Sequence, residues 1–428
     1  MAENDQAGEW IGASAAAERL GVKPATLYAY VSRGVLRRRH APDGRRSLFD
    51  AAQVEELARR GRPRRPPGPG ELAIESAITM LGADRPFYRG RDALDLAGER
   101  GFEEVARWLW TGPDAAASPS PSPHTGGPPP GDGWRASAEG VAVAVAAQAG
   151  LPRDLLPLDR LQLITAALAT ADPVRFPLDP PAVTATAQTL IAGLVEALPP
   201  AAPEPVPASG SVAERLWTRL CPRPPEPGLL RAMEAAMVLL ADHELAASTL
   251  AARVAASVRA DPYAVVASGL GVLSGPLHGG ASYGAERLLG EIGGPGDAAR
   301  VIGERLRGGE RVPGFGHAVY KSGDARATRL FGLIRAAAPD HGRLAVADAV
   351  VDEAVRRRLP APNIDLALAA LGAVAGMVPG AGEALFAVAR TAGWLAHAME
   401  EYARHAQIRP RAVYTGPVPD PAGSAGPP

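Results

Sequence analysis

The sequence predicts a helical body of more than one domain, preceded by a small winged helix-turn-helix domain. The chain has 428 residues, too many for one small domain, and 46% of them are hydrophobic, as in globular proteins. Its apolar segments beyond residue 70 are rich in alanine, broken by Pro and Gly, and lack the period-2 alternation of strands. Residues 10–65 hold 13 Lys and Arg against 5 Asp and Glu, whereas the remainder holds 32 against 41. A basic head on an acidic body indicates two modules with different partners.

Residues 10–61 carry the pattern of the head. ASAAAERLG predicts a short helix that ends at Gly21, and KPATLYAYVSRG predicts a second helix with Pro24 in its first turn. Two basic arms around Pro-Asp-Gly, in LRRRHAPDGRRSLF, predict a β-wing. Asp50 and Gln53 predict a capping box for a last helix, AAQVEELARR. The whole resembles the MerR and excisionase-like winged helix-turn-helix modules.

In such modules the second helix enters the major groove and the wing meets phosphates. The resemblance therefore implies candidate DNA-binding residues at Lys23, Thr26, Tyr28, Arg45 and Arg46. The alternative is a solvated basic face on a module that serves protein interaction or oligomerisation. Two heads on a dimeric body would suit a palindromic site.

Changes in composition mark the boundaries of the predicted units. We expect a disordered N-terminus at residues 1–9, a linker in GRPRRPPGPG over residues 62–70, and a disordered tail at residues 418–428. Residues 71–417 form the predicted body, with a disordered Pro- and Ser-rich insert near residues 112–133.

Capping residues locate helix starts within the body. SVAERLW opens with a capping box of Ser211 and Glu214, and DPYAVVASGLGVL opens with Asp261 as N-cap and Pro262 at the first position. MEAAMVLLADHELAASTLAARVAASV is long and apolar on one face, which predicts a buried helix pair.

The sequence also bounds the compartment. A single cysteine, Cys221, excludes an intramolecular disulfide and a cysteine-based zinc cluster. The first ten residues have neither the basic nor the apolar region of a secretory signal. The apolar run nearest to a membrane span covers about 13 residues from Leu366, short of the roughly 20 that a spanning helix needs. We therefore expect a cytoplasmic protein with no membrane partner.

Seven polar residues stand out by their local sequence. They are His243 in ADHELAAST, His278 in SGPLHGGAS, His317 in VPGFGHAVYKSGDARA, Asp365 in APNIDLALAAL, Arg326 in GDARA, Arg390 in FAVARTAGW and Arg409 in QIRPRAVYTG. A Claisen-type condensation needs a carboxylate base at a carbon acid, donors at two carbonyl oxygens, and cations that hold a dicarboxylate. Singly, each residue has a plainer interpretation, as a structural histidine, a surface arginine or, for Asp365, an N-cap.

These segments, in this order and at these spacings, resemble citrate synthase. The resemblance runs from about Glu71 to Gly416 and includes ESAITML, FYRGRDALDLA and FEEVARWLWTG near its start. It implies the all-α citrate synthase fold, with a large helical domain and a small one near residues 285–378. It also implies a homodimer or larger assembly, a coenzyme A thioester as co-substrate, no permanently bound cofactor and no metal.

The resemblance implies roles for residues of this sequence. Asp365 would take the methyl proton of acetyl-CoA, His278 would donate to the thioester oxygen, and His317 would donate to the oxaloacetate carbonyl and act as the acid. The residues implied in holding oxaloacetate are His243, Arg326 and Arg390, with Phe386 nearby and Arg409 reaching across from the partner subunit. Condensation followed by hydrolysis of the citryl thioester would give citrate and CoA.

Two alternatives stay open from the sequence. One is 2-methylcitrate synthase, which uses propionyl-CoA, and the other is a DNA-binding regulator whose citrate synthase-like body senses a metabolite. The retained Asp365, His278 and His317 favour an enzyme, because a sensor needs only the carboxylate-binding residues.

Four departures from the family's usual residues lie around the implied site. They are Ser282 and Ala246 in place of Asn, Ala318 in place of Arg, and Ala325 in place of Pro. None removes a residue with an implied chemical role, so we expect them to affect acyl specificity and rate more than reaction type.

Overall fold

The computed structural model describes residues 10–20, 22, 24–32, 35–41, 47–60, 73–115, 133–203, 210–404 and 406–417. Residues 1–9, the predicted linker over 62–70 and the predicted tail over 418–428 lie outside this set, as do Lys23, Arg45 and Arg46. The domain boundaries drawn from the sequence therefore stay predictions.

The N-terminal domain has the predicted two helices and wing strands. Its elements are β1 (Trp10–Gly12), α1 (Ala13–Leu20), α2 (Pro24–Ser32), β2 (Arg38–His40), β3 (Ser47–Asp50) and α3 (Ala51–Arg60). The strands form an antiparallel sheet in the order β1-β3-β2. Leu27 of α2 and Phe49 of β3 are fully buried in a small core of their own, which explains how so short a segment holds its shape.

The predicted capping box at α3 is wrong in its second half. Asp50 Oδ1 accepts the backbone N–H groups of Ala52 and Gln53, as an N-cap does. Gln53 does not return the bond, because its Oε1 accepts the backbone N–H of Arg37 at 2.7 Å. Arg37 also ion-pairs with Asp50 at 3.1 Å. The start of α3 is thus tied to the chain that enters β2, a non-local contact that a local pattern cannot reveal.

The body is helical over most of its length. Its helices are α4 (Ala93–Glu99), α5 (Phe102–Ala115), α6 (Ala138–Ala147), α7 (Pro157–Thr170), α8 (Pro180–Ala197), α9 (Val212–Leu220), α10 (Pro227–Leu240), α11 (Ala247–Ser257), α12 (Pro262–Leu273), α13 (Gly280–Glu291), α14 (Ala298–Arg307), α15 (Ala325–Ala337), α16 (Gly342–Arg356), α17 (Ile364–Ala375) and α18 (Ala381–Arg404). The predicted starts of α9 and α12 are confirmed, since Ser211 and Glu214 form a complete capping box and Asp261 caps α12. The predicted buried pair is α10 and α11.

The first four residues of the predicted insert are part of a helix. Residues 112–115 belong to α5, which turns at Gly112, where φ is 69°. Residues 116–132 lie outside the described residues.

A small sheet corrects the prediction that the body has none. β4 (Thr79–Leu81), β5 (Pro86–Tyr88) and β6 (Arg91–Asp92) pair antiparallel in chain order. Strands of two or three residues are too short to display alternation, so the sequence carried no signal for them. The fully buried Tyr88 anchors this sheet to the end of α10, with its hydroxyl 3.0 Å from Val238 O.

Helix α18 is the centre of the body. It is buried along almost all its length and packs against α5, α7, α8, α10, α11, α12, α13 and α17. Buried polar groups need partners, and those of α18 find them on α11 and just beyond α10. Trp394 Nε1 donates to Ser248 Oγ at 3.2 Å, and His397 Nε2 lies 3.3 Å from Asp242 Oδ2. Within the described residues, no helix combines the length and apolarity needed to cross a membrane.

Arg253 of α11 completes this buried network. The side chain is fully buried, and its guanidinium donates to Glu401 Oε1 at 2.6 Å, to His397 Nδ1 at 2.7 Å and to Glu400 Oε2 at 2.8 Å. Since Nδ1 of His397 accepts, its Nε2 carries the ring proton and donates to Asp242. Paired in this way, the buried charges lock α11 against α18.

We expect Gly269→Ala in α12 to lower the free energy of unfolding by about 1–3 kcal/mol. A Cβ there would stand 2.6 Å from the indole of Trp394, which is fully buried and cannot move aside. Gly332→Ala in α15 is the control, because Gly332 is exposed and has no atom within 4 Å of an added Cβ. The control should be neutral or stabilise by up to about 1 kcal/mol. Urea unfolding followed by circular dichroism measures both, and equal losses in the two variants would contradict this packing.

Candidate active site

His278 lies in a tight turn between α12 and α13. The turn needs the glycines of GPLHGGASYG, because a Cβ at Gly279 would stand 2.7 Å from Leu273 O and one at Gly280 would stand 3.1 Å from Gly275 O. The imidazole edge meets the ring of Phe386, with centroids 6.0 Å apart. The loop therefore presents one polar ring against an apolar wall of α18.

Ser248 contacts one ring nitrogen of His278. Ser248 Oγ accepts from Trp394 Nε1 and lies 2.8 Å from His278 Nε2. In the tautomer that accepts the Ser248 hydroxyl proton at Nε2, the ring proton of His278 is on Nδ1, where it can be donated to a ligand.

His317 is oriented by its own loop. Its Nδ1 accepts the backbone N–H groups of Val319 at 3.0 Å and Tyr320 at 3.2 Å. These two shorter bonds to Nδ1 put the ring proton of neutral His317 on Nε2, so Nε2–H and Arg326 Nη2, 3.4 Å apart, are two donors that face each other. A carbonyl or carboxylate oxygen of a ligand could accept from both.

Tyr320 joins two of the histidines. Its hydroxyl lies 2.9 Å from His243 Nε2, and its ring stacks on His317 with centroids 4.6 Å apart. The rings of His243 and His317 meet edge to face at 5.2 Å. Tyr320 is almost fully buried, so its contacts restrict the orientations of the His243 and His317 rings.

Burial keeps all three imidazoles neutral at neutral pH. Burial, and then Arg390, lower the pKa of His278 to about 4, and burial together with Arg326 lowers the pKa of His317 to about 4. Burial also drives the pKa of His243 far below its ordinary value, helped by Arg326, Arg390, His317 and His278. These mutual influences show that the histidines and arginines form one cluster.

Arg326 is held by Asp324, the N-cap of α15. Asp324 Oδ1 accepts from Arg326 Nε and Oδ2 accepts from Nη2, both at 2.9 Å. Oδ2 also accepts the backbone N–H of Ile364 at the start of α17. Burial alone would raise the pKa of Asp324, but Arg326 outweighs it and the pKa is lowered. One carboxylate thus positions both an arginine and the helix that carries Asp365.

Arg390 has unused hydrogen-bonding capacity. Its Nε donates to Leu240 O at 2.7 Å, and its guanidinium lies 4.7 Å from the centroid of the Phe386 ring. Nη1 is buried and has no hydrogen-bond partner among the described residues. A buried cationic donor without a partner is costly, and an anionic ligand would relieve that cost.

Asp365 stands at the second position of α17. Asn363 is the N-cap, so the interpretation of Asp365 as the cap is wrong, although its carboxylate does lie in the first turn. Asp365 is partly buried, and its Oδ1 accepts from Ser282 Oγ at 2.6 Å. Burial raises the pKa of Asp365 to about 6, against the hydrogen bond from Ser282 and the charge of Arg326.

Arg409 is apart from this cluster. It lies in the exposed segment 406–417 that follows α18, and Ile408 N donates to Ser257 Oγ at 3.1 Å. Ser257 is the last residue of α11, whereas Ser248, which contacts His278, lies near the start of the same helix. The two serines are roughly 13 Å apart along the helix axis.

Comparison with known proteins decides the family. Residues 69–411 match the family model described as "Citrate synthase, C-terminal domain". The chain belongs to the citrate synthase family. Residues 13–59 match the model of the "MerR HTH family regulatory protein", so both resemblances expected from the sequence are confirmed.

Relatives within the citrate synthase family carry two names. Citrate synthase 2 of Bacillus subtilis is 31% identical over 377 residues, which cover 81% of this chain and 95% of that protein. 2-Methylcitrate synthase 2 of Corynebacterium glutamicum is 30% identical over 367 residues, which cover 81% and 93%.

Solved structures confirm the predicted fold class. Citrate synthase from Thermotoga maritima aligns with a TM-score of 0.64 at 27% identity, over 82% of this chain and 95% of that chain. Citrate synthase from Thermoplasma acidophilum, in a ternary complex with carboxymethyl coenzyme A and oxaloacetate, aligns with a TM-score of 0.65 at 25% identity, over 81% and 94%.

The departures from the family's usual residues have distinct local effects. Ala246 is the N-cap of α11 and offers no side-chain acceptor, where the family's usual Asn would suit a cap. Ala325 N donates to Asp84 O at 3.0 Å, a bond that proline could not make. Ala318 is exposed, whereas Ser282 is almost fully buried and contacts Asp365.

Three residues of the site were missed from the sequence: Ser248, Tyr320 and Asp324. Each lies within seven residues of a predicted histidine or arginine, in the same motif. Tyr320 and Asp324 contact His317 and Arg326 of their own motif, whereas Ser248 contacts His278, which is 30 residues away. A linear motif does not show which of its residues make such contacts.

Proposed function

We propose that the protein condenses acetyl-CoA with oxaloacetate and hydrolyses the citryl thioester to citrate and CoA. The observation that carries the proposal is the cluster of Asp365, two neutral histidines oriented at Nε2 of His278 and Nδ1 of His317, and the unpartnered Nη1 of Arg390. No metal and no permanently bound cofactor take part, and we propose the cytoplasm as the compartment.

Oxaloacetate would bind first among the cations. Its carboxylates would meet Arg390, Arg326 and His243, with Phe386 beneath the guanidinium of Arg390. The Nε2–H of His317 would donate to the ketone oxygen and so make the ketone carbon more electrophilic.

Acetyl-CoA would react from the side of Asp365. The ionised carboxylate takes a methyl proton, and the Nδ1–H of His278 stabilises the charge that develops on the thioester oxygen. The resulting carbon nucleophile bonds to the ketone carbon, and the new alkoxide takes the Nε2 proton of His317. Asp365 releases the methyl proton to solvent and His317 regains a proton from solvent, so both groups return to their starting protonation states. Water then cleaves the C–S bond of the citryl thioester and releases CoA as the thiol.

Neutral histidines suit this chemistry. A histidine that titrates near pH 6.5 would be partly charged and would compete with the arginines for the substrate carboxylates. The low pKa of His278 and His317, about 4 in each case, keeps one donor proton on each ring across the physiological range.

Two acyl-CoA thioesters are candidates for the co-substrate. Relatives of similar identity are named citrate synthase and 2-methylcitrate synthase, which supports propionyl-CoA as the alternative co-substrate. Free-thiol release from acetyl-CoA and propionyl-CoA, each with oxaloacetate, measures the preference directly.

We expect Asp365→Ala to lower kcat about 10²- to 10⁴-fold in the thiol-release assay, because it removes the base.

In the wild type, kcat/KM should fall as pH drops through about 6, since a protonated Asp365 cannot act as the base. The histidines stay neutral in that window because their pKa values are lower, so they do not contribute to this limb.

Asp352→Ala is the matched control, because Asp352 lies exposed on α16. It should keep wild-type activity and the wild-type pH profile. No turnover by the wild type with either thioester, while calorimetry still detects oxaloacetate binding, would contradict the enzyme and leave the metabolite sensor.

We also propose a homodimer that shares its active sites. Val254 of α11, Val258 at its C-cap and Val272 of α12 are exposed apolar side chains that a second copy would cover. The exposed segment with Arg409 leaves from the far end of α11, which supports its reaching the partner's site rather than its own.

Co-expression of Asp365→Ala and Arg409→Ala subunits tests shared sites. Each variant alone should be nearly inactive. In a mixed dimer, one of the two sites keeps Asp365 from one subunit and Arg409 from the other. Random assembly makes about half of the dimers mixed, so about a quarter of wild-type activity should return in the whole preparation. No recovery, with mixed dimers verified by two affinity tags, would contradict a role for Arg409 across the interface.

For the N-terminal domain we propose DNA binding. The match to the MerR family supports it, and so does strand β2, whose residues Arg38, Arg39 and His40 are all exposed. Arg39 stacks over Trp10 at 4.4 Å, and Arg38 lies 5.7 Å from the ring centroid of the exposed Tyr28 on α2. The rings would hold these guanidinium groups ready for phosphate oxygens.

The double variant Arg38→Ala/Arg39→Ala should weaken binding to a mixed-sequence duplex and reduce the slope of log K against log salt by about 1.8. Fluorescence anisotropy across a salt series measures the slope. The control is Arg300→Ala/Arg335→Ala, which removes two exposed arginines of the body and should leave the salt slope unchanged. An absence of binding by the wild type at low salt would contradict the proposal.

A further inference from the structure

Ser282 lies at the meeting point of three helices. It is the third residue of α13 and only 1% exposed, against α17 and the first turn of α18. A Cβ placed on Gly382 of α18 would stand 3.6 Å from Ser282 Cβ and 3.6 Å from Leu368 Cβ, so the backbones approach closely. The side chain at this position has a defined place and little room to move.

The hydroxyl of Ser282 is used on Asp365. The distance of 2.6 Å from Ser282 Oγ to Asp365 Oδ1 is that of a strong hydrogen bond to a charged acceptor. It is also the one hydrogen bond that the Asp365 carboxylate receives from the described residues. The Ser282 hydroxyl has one proton and donates it to Oδ1 of Asp365. Oδ2 of Asp365 therefore stays available to accept a proton from a ligand.

We propose that Ser282 is a positioning residue, whose hydroxyl orients the Asp365 carboxylate and favours its ionised form for proton abstraction. This inference rests on the proposed condensation. It assigns a role to a residue that departs from the family's usual Asn.

Among the described residues, the charged groups around Asp365 do not orient its carboxylate through a hydrogen bond, whereas Ser282 does. Arg326 favours the carboxylate, but its Nε and Nη2 are engaged by Asp324, which itself disfavours a second negative charge nearby. Two further acids face this junction, Glu286 on α13 and Glu383 on α18. Burial raises the pKa of Glu286 to about 6 and that of Glu383 to about 7, and Asp365 adds to the rise at Glu383.

Thiol release by Ser282→Ala, compared with the wild type from pH 5.5 to 9, tests the inference. At pH 7 we expect kcat to fall about tenfold, the scale of one hydrogen bond to a charged group. The acid limb should move to higher pH, so the deficit shrinks as pH rises, and the KM for oxaloacetate should not change. A purely structural role would lower activity by the same factor at every pH.

Two further variants keep the test independent of the stability of Ser282→Ala. Ser282→Thr retains the hydroxyl and should restore the wild-type pH profile. Ser282→Cys has similar shape but only a weak S–H donor, and it should shift the acid limb in the same direction as alanine.

The outcomes separate this inference from the proposed function. Wild-type and alanine profiles with the same midpoint, in an active enzyme, would overturn the role of Ser282 and leave the condensation intact. A wild type without thiol release would overturn the condensation itself.

Discussion

Burial of helix α18 is the constraint on which the rest of the body depends. A helix enclosed on nearly all sides must supply every polar side chain with a partner, because an unpaired polar group in the core costs several kcal/mol. Arg390, Trp394, His397 and Glu401 follow one another at spacings of four, three and four residues, so they lie along one face. That face meets the end of α10 and the length of α11.

Residues of α11 pair with the buried polar side chains of α18 and also contact the candidate active site. Trp394 holds Ser248, and Ser248 in turn contacts His278. Farther along, Arg253 joins Glu401 and His397, and His397 contacts Asp242, which precedes His243 in the chain. The same contacts that satisfy the core therefore reach His278 directly, and they also reach Asp242, the residue before His243. Arg390 is the exception, since its Nη1 is buried without a partner among the described residues.

Proton placement in the site follows from neighbours of the histidines, not from the histidines themselves. Backbone N–H groups occupy Nδ1 of His317 and leave Nε2–H as the donor, whereas Ser248 contacts Nε2 of His278, so the tautomer that can donate to a ligand carries its proton on Nδ1. Asp324 adds a second kind of control, because it joins Arg326 to the first turn of α17 and so to Asp365. Small changes in these supporting residues would alter the reaction without touching a reacting group.

The sequence by itself determined the helical class, the two modules, the starts of a few helices such as α9 and α12, and the identity of the seven polar residues. These features are local or are carried by ordered motifs, and capping boxes, prolines and glycines act within a few residues. The tertiary structure decided the rest. The short strands β4 to β6 and the partner of Gln53 depend on pairings that a linear pattern does not record.

Ser282 shows the division most clearly. In GPLHGGASYG it is a small polar residue four positions after His278, and nothing in the string assigns it a partner. Only the packing of α13 on α17 brings its hydroxyl to Asp365, 83 residues farther along the chain. A hydrogen bond needs its two atoms within about 3 Å, and the fold alone can set that distance between residues so far apart in sequence.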